Sequence, residues 1–320
     1  MNRSEILFLY DINDANPNGD PLDSNKPRLD EETEINIVTD VRLKRTIRDY
    51  LKEYENQEIF IRDTLDEEGK LKDSKQRASD FLTQEKFESL ADARENIKEN
   101  VISECIDARL FGATIPIDVK VKTKKASSSV TLTGPVQFRM GRSLNKVEIN
   151  HIKGTGAFAS GEGKDQKTFR EEYILPYSLI NFYGVINENA AKETGMKDSD
   201  IPLLLKGIWN GTKNLITRSK FGQVPRLLLQ IEYNENYFIG DLNNKISIEY
   251  DLDDSKLIRN INQVELNFNK LLTNLEEEKD KISKIYYKID SDVKFYEFET
   301  SKDLLSKIES LGIETEELEL

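Results

Sequence analysis

The chain has 320 residues, 37% hydrophobic and 33% charged, with a formal net charge of −13 at pH 7. That length and apolar share bury a real core in one elaborated domain or two, and no apolar run approaches the roughly 20 residues of a membrane-spanning helix. One histidine and one cysteine exclude a His/Cys zinc site and an internal disulfide, and the lone Cys105 suits a reducing cytoplasm.

Ile6 to Tyr10 is a short continuous apolar run, the pattern of a buried strand and too short for a signal peptide. The loop after it, rich in Asp, Asn, Pro and Gly, lasts until Ile35. Within it Asp14, Asn16, Asn18 and Gly19 imitate the start of an EF-hand loop. Asn25 stands where the bidentate glutamate belongs, so the match reads as turn chemistry. From Asp40 to Tyr54 the period becomes helical, with Leu43, Ile47, Tyr50, Leu51 and Tyr54 on one face and Thr39 or Asp40 as N-cap. Arg42, Arg45, Arg48 and Lys52 cluster on the other face, a pattern that suits a phosphate track as well as an ordinary solvated surface.

Ile59 to Thr64 reads as a strand, and Asp66 to Asn100 as an acidic helical insertion anchored by Phe81, Phe87, Leu90 and Ile97. A helix over Val101 to Phe111 stops at Gly112. Between Asp118 and Lys153 eight Lys/Arg face two acids, a basic island on an acidic body. Lys120, Lys122 and Lys124 alternate with Val119, Val121 and Thr123, which aligns three ammoniums on one strand face, either as edge protection or as a binding surface. Val130 to Met140 reads as a second strand, bent at Gly134-Pro135. Four glycines then surround Phe158 in a stretch that lacks the Lys-Ser/Thr ending of a phosphate loop and reads as a hairpin.

Tyr173 to Asn187 is a strand broken at Pro176. Ile201, Leu204, Leu205, Ile208 and Trp209 share a helical face, and Arg226 to Tyr233 is a strand. Beyond Asp251 the chain reads as mainly helical, with a strand or helix at 281–290; from Glu276 onward acids outnumber lysines fourteen to seven, as in a solvated cap. The core order is strand, helix, strand, strand, helix, strand, with the middle strands near 130 and 174: the ferredoxin-like, RRM-type split βαβ.

Five blocks appear in order: NPNGDP at Asn16 to Pro21, INIVTDVRLKRTIRDYL at Ile35 to Leu51, DARLFGATIP at Asp107 to Pro116, TLTGPVQFRMGRS at Thr131 to Ser143, and TFREEYILPYSLINFYGVIN at Thr168 to Asn187. On these the chain resembles the backbone subunit of the CRISPR Cascade surveillance complex, in the RAMP superfamily, most closely its type I-B branch. The resemblance implies an α+β fold: an RRM-like palm (1–58, 113–144 and 171–250), an inserted helical fingers subdomain (59–112), a thumb hairpin (145–170) and a helical C-terminal cap (251–320). It implies a non-catalytic, cytoplasmic protein without cofactor or metal. Its partners would be CRISPR RNA, other copies of itself along the guide, other Cascade subunits, and target DNA through guide pairing.

Carried over by position, Arg42, Lys44, Arg45 and Arg48 would contact guide phosphates, and Met140, Gly141 and Arg142 would form the turn against the RNA. Lys153 closes the cationic stretch, and Phe158 would be the thumb's wedge, since stacking on bases is sequence-tolerant. The alternative is a metal-dependent endoribonuclease like the type III relatives, using Asp20, Asp23 or Asp30 of the first loop.

Overall fold

The computed structural model describes residues 1–159, 167–234 and 236–320, and all their side chains except those of 155–159 and 167–170. Strand β1 (Ser4–Ala15) leads through β2 (Leu29–Asp30) and β3 (Ile35–Val38) into helix α1 (Asp40–Glu53). Then come α2 (Ser74–Ser79), β4 (Lys86–Phe87), α3 (Leu90–Glu104), α4 (Ile106–Phe111), β5 (Gly112–Val121) and β6 (Lys124–Thr133). They are followed by β7 (Gly141–Lys146), β8 (Asn150–Ala159), β9 (Lys167–Ile186), α5 (Glu188–Thr194), α6 (Asp200–Lys213) and β10 (Val224–Tyr233). The last part holds α7 (Asn269–Glu278), β11 (Ile282–Ile289), α8 (Ser301–Ser310) and β12 (Glu314–Glu317). The chain divides into two compact units, residues 1–3, 44–137 and 185–211, and residues 4–43, 138–184 and 212–320.

The second unit is built on a large mixed sheet in the order β12-β11-β10-β1-β9-β7-β3-β2, with β8 and the short strand Val136–Phe138 also paired to β9. Its centre is β1, whose Ile6, Leu7, Phe8 and Leu9 are fully buried, so both faces of the strand are covered, as a continuous apolar run requires. Glu5 is fully buried beside them. Its carboxylate accepts the hydroxyls of Tyr183 and Tyr233 and the amides of Ile239 (2.8 Å) and Gly240 (2.9 Å), which satisfies it without a cation. Asp11, also on β1, is held by Arg226 at 3.0 Å and by the Tyr177 hydroxyl at 3.1 Å.

Three expectations change here. The strand expected over 130–140 is split: the part up to Thr133 belongs to β6 and stays out of the large sheet, whereas Val136–Phe138 pairs with β9 in it, and β7 pairs with β9 through Arg142↔Asn181 and with β3 through Gly141↔Val38. Pro176 does not break β9, which runs unbroken for 20 residues. The proline falls between the segment paired to β8, which reaches Ile174, and the residues paired to β7, Ile180 and Asn181, so on that edge of β9 it interrupts no ladder. The stretch 251–320, expected as a helical cap, also adds β11 and β12 to the sheet. Its KISKIYYKI segment is rich in β-branched and aromatic residues and pairs antiparallel with β10, and Lys284 and Lys288 hold the glutamates of the parallel edge strand β12.

The first unit has its own three-stranded sheet, β4-β5-β6, with β5 and β6 paired over ten residues around a turn at Lys122-Thr123. The inward residues Ile115, Ile117, Val119, Val130 and Leu132 share one core with Ala78, Phe81, Phe87, Ile97 and Val101 of the helical stretch. Hence Val130 faces this core. The stretch 59–64 is not a strand. The buried Asp107 carboxylate accepts the amides of Phe60 (2.6 Å) and Ile61 (3.1 Å), and Arg77 donates to the carbonyls of Ile59 and Phe60, so side chains replace the ladder. Gly112 has φ +71°, and a Cβ there would meet the Leu132 carbonyl and sit 2.5 Å from the Gly134 nitrogen; only glycine turns the chain from α4 into β5 here.

Candidate nucleic-acid interface

In the second unit, the loop after β1 and the start of α1 are tied together by asparagines. The buried Asn16 donates from Nδ2 to the carbonyls of Asn25 (2.7 Å) and Tyr173 (3.3 Å). Asn18 Oδ1 accepts the Thr39 amide (2.8 Å) and hydroxyl (2.9 Å), and Thr39 Oγ1 in turn accepts the Arg42 amide at 3.2 Å, capping α1. The residues that imitate an EF-hand therefore serve as loop and cap fasteners. No cluster of three metal-ligating groups occurs among the described residues.

The β3 strand that feeds α1 is the one that pairs with β7, so Met140, Gly141 and Arg142 stand next to the helix start. Gly141 is held there by space: a Cβ would lie 2.6 Å from Cζ of Phe182. Its neighbours face outward, Met140 55% exposed and the Arg142 side chain 53%. Arg142 is bonded to Asp30 at 3.0 Å and holds that carboxyl below its usual pKa. Lys220 comes to the same place from the α6–β10 connection, donating to the Asn16 carbonyl at 3.2 Å. Its pKa is lowered, first by burial and then by the charge of Arg42, so two cations crowd together there. Sequence reading missed Lys220. It lies between two clear elements, in a stretch with no periodicity to flag it.

The other predicted residues fall elsewhere. Lys44 lies over the Phe111 ring at 5.7 Å, and Arg45 pairs with Asp49 at 2.8 Å on the helix surface. Arg48 corrects the expectation of a guide-phosphate contact. It is 9% exposed, bonds Asp107 at 2.8 Å and stacks over Phe111, so it faces the interior of the first unit. Lys153 on β8 is exposed and pairs with Glu171 of β9 at 3.4 Å. The Phe158 side chain lies outside the described residues. Lys120 to Lys125 belong to the first unit, whereas Met140 to Arg142 belong to the second, so the basic island of the sequence is divided between the two units.

The loop aspartates are engaged as well. Asp20 pairs with Arg28 at 2.7 Å, Asp23 with Lys26 at 2.9 Å, and Asp30 with Arg142. No helix among the described residues is long and apolar enough to cross a membrane.

Comparison with known proteins places these observations in a family. Residues 2–269 match the family model described as CRISPR-associated protein Cas7. A CRISPR-associated protein Cas7 of Haloferax volcanii is 34% identical over 303 residues, covering 89% of this chain and 86% of the relative. Among solved structures, a chain of a CRISPR RNA-guided surveillance complex in a pre-nicking state has a TM-score of 0.51 at 12% identity, covering 97% of this chain and all of the other. A second chain, from a CRISPR RNA-guided surveillance complex, has a TM-score of 0.52 at 12% identity, covering 97% and 98%. These two share the mixed α/β fold.

Proposed function

The chain belongs to the Cas7 family of CRISPR-associated proteins, and on that premise we propose that it is a non-catalytic subunit that binds CRISPR RNA. In this reading several copies line the guide as the backbone of a Cascade-type complex, with other Cascade subunits, and hold it for pairing with target DNA in the cytoplasm. The strand order β10-β1-β9-β7 supports a ferredoxin-like palm, the helical unit around β4-β5-β6 supports fingers, and the β8–β9 hairpin supports a thumb. A type I-B assignment rests on the five sequence blocks.

The observation that carries the reading is the meeting of the exposed Met140–Arg142 turn, the capped start of α1 and the crowded Arg42/Lys220 pair in one unit. Phosphate contacts of this kind hold a strand in register without reading its sequence, which suits a protein that serves many guides. The guide contacts are then Arg42, Lys220, Met140, Gly141 and Arg142, with Lys44, Arg45 and Lys153 as flanking cations and Phe158 as the wedge. Arg48 becomes the residue that positions α1. The ribonuclease alternative has less support, because Asp20, Asp23 and Asp30 each already hold a cation.

Purification from cells carrying a CRISPR array, with the bound nucleic acid run on a denaturing gel, tests this. A discrete RNase-sensitive band of guide length is expected, and Arg142→Ala with Lys220→Ala weakens its retention by on the order of tenfold or more while the chain stays folded. Full retention by the double variant would remove this surface from the RNA path.

A further inference from the structure

Each unit carries an exposed apolar patch, and the two patches differ in charge. In the first unit, residues 64–72 form a tight hairpin. The Asp66 amide donates to the Lys70 carbonyl at 2.8 Å, the Lys72 amide donates to the Thr64 carbonyl at 2.8 Å, and Gly69 takes the turn at φ +77°. Between those two bonds Leu65 and Leu71 stand opposite each other. Such a non-hydrogen-bonded pair brings its Cα atoms to about 4.5 Å and sets the side chains together on one face. The two leucines are 61% and 68% exposed. Isolated apolar side chains are ordinary on a surface, but two abutting leucines on a hairpin form an anchor of the kind that a protein partner covers.

Four acids accompany the leucines. Asp66 serves the turn, accepting the amides of Glu68 (3.0 Å) and Lys70 (2.8 Å), and Glu68 holds the Lys70 ammonium at 2.7 Å. Asp63 and Glu67 are exposed and form no ion pair among the described residues. This negative rim repels a phosphate backbone and suits a basic protein surface.

The second unit has such a surface. Its residues 212–231 include Lys213, Arg218, Lys220 and Arg226 and no acid, in a chain with 59 acids. Ile216 and Phe221 are about as exposed as the leucines, on the turn after α6 where the Phe221 amide donates to the Thr217 carbonyl at 2.7 Å. Lys213 beside them is exposed with no carboxylate partner among the described residues, and the exposed Arg218 has Glu172 at 3.7 Å.

We propose that the Leu65/Leu71 hairpin of one copy docks on the Ile216/Phe221 turn of a second copy, with Asp63 and Glu67 facing Lys213 and Arg218. The inference rests on the reading that several copies assemble, and names the protein surfaces that join them. Because the two patches are unlike, the contact is heterologous: each copy offers its hairpin to one neighbour and its turn to another.

The test uses the full chain freed of nucleic acid by nuclease at high salt, sedimented over a concentration series at low salt. The wild-type chain self-associates. Leu65→Ser with Leu71→Ser, and separately Ile216→Ser with Phe221→Ser, each raise the concentration of half-association about tenfold or more without changing the melting temperature. An equimolar mixture of the two variants recovers association but stops at dimers, since each retains one intact patch. A wild-type chain that stays monomeric, variants that associate like wild type, or a mixture that forms no dimer overturns the proposal. So does loss of guide RNA from the Ile216/Phe221 variant with self-association intact, which places the turn against the strand. The guide-length band is read on the same preparations before nuclease. Lost docking with the band retained fails this proposal alone, and a missing band with docking intact fails the guide reading alone.

Discussion

The two basic regions differ in what neutralises them. Around β7 and β8 the exposed cations have carboxylate partners: Arg139 with Asp241, Arg142 with Asp30, Lys146 with Glu34, Lys153 with Glu171. Around the β5–β6 sheet, Lys86, Lys120, Lys122, Lys124 and Lys125 form no ion pair among the described residues, although Lys125 lies in the field of Asp118. A phosphate arriving at β7 must displace a carboxylate, so the net gain is small and the surface favours a ligand that fits its geometry. A phosphate arriving at the β5–β6 turn displaces no paired carboxylate from these lysines, so its attraction is strong at low salt and indifferent to shape. Similar lysine and arginine counts thus describe a selective surface and a permissive one.

Removing carboxylates in turn tests whether they decide what each cation does. The largest effect is expected at Asp107, fully buried against Arg48 and two backbone amides. Asp107→Ala leaves a buried guanidinium unpaired and should destabilise the fold by about 3–5 kcal/mol, read by urea denaturation. A loss below 1 kcal/mol, judged against that same range, would mean that Arg48 escapes to solvent and is available to phosphate after all.

Gly141→Ala separates geometry from charge. It alters no ionic group but drives a methyl into the Phe182 ring, costing about 1–3 kcal/mol and displacing the β7 turn. RNA retention should fall with it although no cation is removed; full retention would show that the charges of the turn act without its geometry.

The smallest effect is expected at Asp30. Asp30→Asn releases Arg142 and should raise RNA affinity roughly two- to fivefold while lowering the melting temperature only slightly. Arg142 holds the Asp30 pKa down, so the contribution of the pair is present above the unfolded carboxylate pKa and lost as pH falls through the lowered folded value. Wild-type affinity should therefore stay level from neutrality to the ordinary carboxylate range and rise only below it. A variant indistinguishable from wild type would show that the pair does not compete with phosphate.

Periodicity and apolar runs made β1, α1, α6 and β10 legible, because each buries a face that the sequence itself marks. The misreadings occurred where a distant side chain decides. Arg48 lies at the border of the apolar stripe of α1, and what draws it inward is Asp107, 59 residues away. The same aspartate bonds the amides that would have made 59–64 a strand. Val130 to Thr133 has a strand's alternation, and β6 is a strand, but alternation does not name its sheet; the ten-residue register with β5 does. Of the proposed site, Met140 to Arg142 and Arg42 were visible as motif residues, whereas Lys220 reaches them only through the fold.

The uninterrupted course of β9 has a mechanical consequence. At about 3.3 Å per residue, its 20 residues make a rod of about 66 Å with no joint. One end is clamped between neighbours in the sheet and the other carries the hairpin with β8. Such a rod acts as a ruler: the distance from the sheet to the far end of the strand is fixed by a residue count, the same in every copy of the chain. A repeating assembly built from it would inherit its step length from the sequence, and inserting two residues into β9 would change the step without changing any contact chemistry.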